Sequence, residues 1–178
     1  MSYEGDNIKS VINDLQKFVI NTPVLRFDFI DSLCNCNVFF KCENFQHTGS
    51  FKYRAAINAI KKMPVEFKQT GVITHSSGNF AHALARAAYE LKIPCHIVMP
   101  DNTPNFKKTS VLTYTKDIVE CESNLRAREL TTKEILKNKN LYFIHPSNNM
   151  DVILGNSTCA VEFINDYPNL DFVFSPIG

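Results

Sequence analysis

Short apolar runs of strand length alternate along this chain with segments of helical patterning, and that alternation constrains the fold more than any other feature. The strand-like runs are Val38–Glu43, Gly71–His75, Cys95–Pro100, Asp117–Cys121, Tyr142–Pro146 and Phe172–Pro176. Between them lie the helical segments Phe51–Lys62, Asn79–Leu91, Pro104–Tyr114, Asn124–Lys137 and Met150–Tyr167. Asn79–Leu91 is the clearest, with Ala83, Leu84, Ala87, Ala88 and Leu91 at three- and four-residue steps and Ser77 as its expected N-cap. Strands that alternate with helices predict an α/β fold in which parallel, twisted sheets are covered by helices on both faces. No repeat, low-complexity tract or heptad seam interrupts the pattern.

Composition narrows the function classes. The 178 residues are 44% apolar, enough for a sizeable core. The formal net charge is +1, and Lys, Arg, Asp and Glu are mixed along the chain. There is no basic stripe, so nucleic acid and acidic membrane surfaces are not expected partners. No stretch approaches the roughly 18 apolar residues of a membrane helix, and Met1–Asn13 is too polar for a secretory signal. The expectation is a soluble, cytoplasmic protein. Cys34, Cys36, Cys42, Cys95, Cys121 and Cys159 contain no Cys-x-x-Cys pair. Reduced thiols are therefore expected, and no metal.

Two segments carry residues suited to chemistry. In the first, Ser76-Ser77-Gly78-Asn79 falls between a strand and a helix. A helix start offers unpaired N–H groups and the positive end of the dipole, a natural seat for carboxylate or phosphate. Capping alone would explain an isolated Ser-Ser-Gly-Asn. In the second, Phe45-Gln46-His47-Thr48-Gly49-Ser50-Phe51-Lys52 ends on a lysine at a helix start. The helix dipole and the Phe51 ring both favour a neutral amine there, the form that attacks a carbonyl to make a Schiff base.

Together these segments resemble the serine racemase and serine/threonine dehydratase branch of the fold-type II pyridoxal-phosphate enzymes, whose fold is like that of the tryptophan synthase beta chain. The likeness rests on Thr22-Pro23-Val24-Leu25, Val38–Glu43, Phe45 with Thr48–Lys52 and Arg54, and His75–Asn79. It continues more weakly through Ile93–Pro100, Asp117–Glu122 and His145-Pro146 to the last residue. The resemblance implies that Lys52 holds pyridoxal 5'-phosphate and acts as base on one face of the substrate. It places Phe51 against the cofactor ring, Asn79 at the ring's 3-hydroxyl, and Gly178 at the start of the loop for the cofactor phosphate. It assigns Ser76, Ser77, Gly78 and Asn79 to the substrate carboxylate, and Arg128 to the substrate's surroundings. Ser77 would return a proton from the face opposite Lys52. The implied substrate is a small amino acid, serine or threonine, undergoing racemisation or ammonia-lyase β-elimination. A homodimer is implied for the full-length form.

The chain also departs from the family. Phe80 stands for a histidine, Ala81-His82 for Gly-Gln, Ala55 and Ser157 for glycines, and Ser147 for an asparagine. His82 inherits no role and is expected to pack or face solvent. Ala55 is expected to crowd its helix. Residues 1–70 with 147–178 correspond to an incomplete large domain, and 71–146 to a smaller inserted α/β domain. Family members are much longer, and the remainder carries the glycine-rich phosphate loop and the divalent-metal site. Without that loop cofactor affinity is expected to collapse and a sheet edge to stand unpaired. A second reading from another class is a non-catalytic homologue acting as a binding or regulatory remnant.

Overall fold

The computed structural model describes residues 5–175. Its main elements run α1 (Gly5–Leu15), β1 (Val24–Leu25), α2 (Asp28–Cys34), β2 (Phe40–Lys41), α3 (Lys52–Lys62), β3 (Val72–His75), α4 (Asn79–Glu90), β4 (Cys95–Pro100), α5 (Asn105–Leu112), β5 (Ile118–Cys121), α6 (Leu125–Asn138), β6 (Tyr142–Phe143) and α7 (Met150–Asp166). The expected alternation is present. Among the described residues no helix is long and apolar enough to cross a membrane.

Four strands form a parallel sheet in the order β5-β4-β3-β6. Val72 pairs with both Cys95 and Tyr142, which sets the register at the centre. Side chains alternate across the sheet. Ile73 and Val98 therefore join Leu141, Phe143, Ile135 and Leu136 on the α6 face, while Val72, Ile97 and Met99 join the larger core on the other. Every residue of β3 and β4 is buried. Burial on both faces is why these strands read as continuous apolar runs.

Several elements differ from expectation. Val38–Glu43 supplies only the two residues of β2, which pair antiparallel with β1. The strand stops because Glu43 opens a tight 3-10 turn and its carboxylate is taken by Thr22 and Arg54. Tyr142–Pro146 is a strand only to Phe143. Beyond it the His145 ring accepts the amides of Ser147 and Asn148, which turns the chain. Phe172–Ser175 forms no strand, because no described strand runs beside it to complete a ladder, and Pro176 lies outside the described residues. Helix α1 was missed, although Ile8, Val11, Ile12 and Leu15 carry helical spacing and Val11 and Leu15 are buried. Helix α2 was missed as well; it buries none of its residues, and its apolar Phe29 and Leu33, one turn apart, are exposed. All six cysteines are free thiols.

Among the described elements, helices α3 and α7 pack together most extensively, and two features hold them. Arg54, 0% exposed, directs all its donors inward. Nε and Nη2 donate to Glu43 at 2.9 Å each, and Nη1 and Nη2 to Glu162 at 2.7 and 2.8 Å. Lys41 adds a second cation to Glu162 at 3.0 Å, so the quartet is neutral. The other feature is Gly155. A Cβ there would lie 2.6 Å from the Arg54 carbonyl oxygen and 2.7 Å from the Ala55 Cα. Ala55 is fully buried in that contact, with the α7 glycine against its backbone. Gly155→Ala is expected to force the helices apart and cost about 2–3 kcal/mol. The measurement is a urea midpoint, and an unchanged midpoint would refute the close approach.

Candidate active site

Lys52 is the first residue of α3, with Phe51 at its N-cap. The loop before it is pinned at Gln46, whose amide exchanges hydrogen bonds with both backbone groups of Ile20 at 3.1 and 2.8 Å. Thr48 and Gly49 then take φ of 64° and 72°. For β-branched Thr48 that conformation is strained by about 1–3 kcal/mol. The hydroxyls of Thr48 and Ser50 are buried without partners. Strain and unmet polar groups are both concentrated immediately before Lys52.

The Lys52 side chain is half-buried, with Nζ 4.8 Å from the centre of the Phe51 ring. No carboxylate lies within ion-pair distance among the described residues. Burial pushes its pKa below the ordinary lysine range, and the helix start acts in the same direction. A lysine so placed keeps more of its amine free than a surface lysine does.

Ser76–Asn79 leaves the C-terminal end of β3 and opens α4. Ser76 is tied to the sheet by its amide, which donates to the Val98 carbonyl at 3.0 Å. The N-cap is Gly78, not Ser77, and no side chain caps the helix. The backbone at Gly78 is extended (φ −131°) and the Ser77 hydroxyl and the first α4 amides are uncommitted to each other. Gly78 N–H lies 3.4 Å from Ser76 Oγ. Asn79 is exposed and Phe80, 3% exposed, belongs to the core. Phe80 thus replaces a polar side chain by packing. His82 lies against the Tyr114 ring with centroids 5.7 Å apart.

The structure gathers these residues unequally. Ser76, Ser77, Gly78 and Asn79 form one turn, and α4 packs along α3, whose head carries Phe51 and Lys52. Arg128 lies in the first turn of α6, on the other face of the sheet. Its Nε is buried and unpartnered. Gly178 lies outside the described residues. Ser147 uses its amide on His145, and Ser157 returns its hydroxyl to the Ile153 carbonyl at 2.8 Å.

Two residues near the turn escaped the sequence reading. His75 ends β3 and is 4% exposed, and its Nδ1 also lacks a partner. Its ring stands edge-on to His145 at 5.4 Å. Burial, with the charges of His145 and Arg128, pushes its pKa below that of ordinary imidazole. In the sequence His75 and His145 both lay in stretches that carry the family resemblance, and neither was given a role.

Comparison with known proteins gives concordant results. The family model described as "Pyridoxal-phosphate dependent enzyme" matches residues 15–178. A serine racemase of Dictyostelium discoideum is 37% identical over 97% of this chain and 53% of its own length. A beta-hydroxyaspartate dehydratase of Paracoccus denitrificans is 40% identical over 92% of this chain and 52% of its own. The solved structure of maize serine racemase superposes with a TM-score of 0.90 at 37% identity, covering 93% of this chain and 50% of that one. The chain thus spans about half the length of the curated relatives it matches.

Proposed function

The chain belongs to the pyridoxal-phosphate dependent enzymes, and we propose that it bears the lysine and the carboxylate-binding turn of an active site acting on β-hydroxy α-amino acids. The reaction is racemisation at Cα or ammonia-lyase loss of the β-hydroxyl, with serine or threonine as the simplest substrates. The observation that carries this reading is Lys52, a half-buried amine with a depressed pKa, set beside an aromatic ring and with no carboxylate partner. Those properties fit a residue that must meet an aldehyde, and they suit no structural role. The remnant reading draws no support from a chain whose relatives include racemases and a dehydratase.

When bound, the cofactor supplies an aldehyde and an electron-withdrawing ring that stabilises negative charge at the substrate Cα. The protein's own residues do the rest. The uncapped amides at the head of α4, with Ser76 and Ser77, receive the α-carboxylate. Phe51 would back the cofactor ring and the Asn79 amide would hydrogen-bond its hydroxyl oxygen. Lys52 Nζ takes the α-proton from one side, and Ser77 Oγ gives one back from the other. Racemisation results if that proton arrives before the β-hydroxyl leaves; otherwise elimination results. Residues 1–70 with 147–178 would serve as the cofactor domain and 71–146 as the smaller one. A cytoplasmic homodimer completes the proposal for the full-length form.

The test is the formation of D-serine and of pyruvate from L-serine by the full-length form supplied with cofactor. Neither product from a cofactor-loaded protein overturns the reading. Ser77→Ala is expected to lower D-serine formation by about 10²- to 10⁴-fold while pyruvate release falls far less. Equal losses in both would remove Ser77 from proton transfer.

A further inference from the structure

Tyr53 follows Lys52 on α3 and is 0% exposed, yet its hydroxyl is not idle. It donates to the carboxylate of Glu90, the last residue of α4, so the head of one helix is tied to the tail of the next. Arg86, one turn earlier on α4, donates its Nε to the same carboxylate at 2.7 Å, and its Cζ lies 5.6 Å from the centre of the Tyr53 ring. Burial and the Glu90 bond push the pKa of the phenol up, so it remains a donor at neutral pH and well above. Burial alone would raise Glu90, but the bonds from Tyr53 and Arg86 together outweigh it and hold the carboxyl below its usual range. The Tyr53–Glu90 bond is therefore charge-assisted.

The same ring also meets the loop before Lys52. His47 stands edge-on to it, with centroids 5.0 Å apart and planes at 76°. The tight turn His47–Gly49 lies against both α3 and α4. Burial, then the charge of Arg86, pushes the pKa of His47 below ordinary imidazole against a smaller opposite pull from Glu90. The ring thus meets Tyr53 uncharged at neutral pH. The loop is held at two points. Gln46 anchors it to Ile20 on one side and accepts the His47 amide at 3.0 Å. Tyr53 anchors it to α4 on the other. Between the anchors lie Lys52 and Thr48, the latter in a conformation that β-branched residues avoid. A strained backbone persists where its surroundings over-determine it. None of Tyr53, Glu90, Arg86 and His47 belongs to the stretches that carry the family resemblance, so the resemblance does not account for them.

We infer that the Tyr53–Glu90 hydrogen bond, with His47 edge-on to the same ring, is a clamp that keeps Lys52 half-buried, and that Tyr53 and His47 are positioning residues for its amine. The inference rests on the reading of Lys52 as the reacting group and deepens it. Neither residue meets the reacting atoms, and each acts through the loop. Release of either lets Thr48 leave its strained conformation and lets residues 48–52 move toward water. The ammonium is then better solvated, and the fraction of free amine falls. A phenylalanine at position 53 would fill the same core volume, so packing alone calls for neither the hydroxyl nor its carboxylate partner.

Competitive labelling of the cofactor-free chain with acetic anhydride across pH measures the free amine of Lys52 against that of exposed Lys68. In Tyr53→Phe the pH of half-maximal Lys52 labelling should rise, and its labelling relative to Lys68 at neutral pH should fall about three- to tenfold. His47→Ala removes a half-buried ring and should do the same, which keeps the test open if Tyr53→Phe does not fold. His47→Phe keeps an edge-on ring and should restore the original profile. Circular dichroism monitors the fold of each variant. A folded Tyr53→Phe or His47→Ala with an unmoved Lys52 profile overturns the clamp and leaves these residues a structural role alone. A profile that His47→Phe fails to restore assigns the effect to something other than the ring and overturns the clamp as well. In the full-length form with cofactor, absence of both products beside a persistent labelling shift would sink the enzymatic reading and leave the clamp standing. Product formation beside a Lys52 indifferent to these variants would do the opposite.

Discussion

In the full-length form, Lys52→Ala is expected to eliminate the visible absorbance of covalently held cofactor and to lower turnover of β-hydroxy amino acids by at least about a thousandfold. Stability should behave in the opposite way. The amine is partly desolvated and has no carboxylate partner among the described residues, so its removal relieves a cost and gives up only the contact with the Phe51 ring. The urea midpoint should therefore hold or rise slightly, as for other residues retained for activity rather than for folding. Spectral titration with pyridoxal phosphate and a denaturation curve measure the two effects on the same sample. A variant that keeps the absorbance would remove Lys52 from the chemistry, and one that unfolds would give it a structural role.

Arg54→Met is expected to do the reverse, and at a site only two residues away. The guanidinium is fully buried among Glu43, Glu162, Thr158 and the Ile20 carbonyl. Replacing it by an apolar side chain of similar length leaves Glu162 with Lys41 and Glu43 with only the Thr22 hydroxyl. Removing one partner of a buried ion pair costs about 3–5 kcal/mol, because the remaining charge has lost its compensation. With a urea dependence of about 2 kcal/mol per molar, the midpoint should fall by about 1.5–2.5 M. A loss below about 1 kcal/mol would mean that water reaches the carboxylates. Glu43→Gln with Glu162→Gln in the same protein should recover part of the loss, since the uncompensated charges are then gone.

These two residues also mark what each level of description reveals. Lys52 was legible because its setting is local: a glycine, a hydroxyl and an aromatic ring directly before a helix start. Ser76–Asn79 was legible for the same reason, although the cap proved to be Gly78, and Ser77 is left uncommitted. Arg54 could be recognised as part of a resembling motif, but not as the centre of a neutral quartet. One of its partners, Glu162, lies 108 residues away in the chain. The place of Ala55 could not be read alone, since only the packing of α7 shows that Gly155 lies against its backbone. His75 reads as a strand residue until the parallel register brings Phe143 and His145 beside it and α6 brings Arg128.

Spacing along the chain by itself determined the alternation of strand and helix, the parallel α/β class, and the lysine and serine-rich turn that begin two of its helices. Periodicity and helix-end chemistry act over a few residues, so they are written into neighbouring letters. Tertiary structure alone decided where ladders form and which helices touch. Phe172–Ser175 has strand composition and no partner, whereas Phe40–Lys41 pairs, antiparallel, because β1 lies beside it. It also decided which polar groups are buried unpaired, and so where a ligand is needed. Those outcomes depend on atoms brought together from distant segments, and a linear pattern holds no record of that.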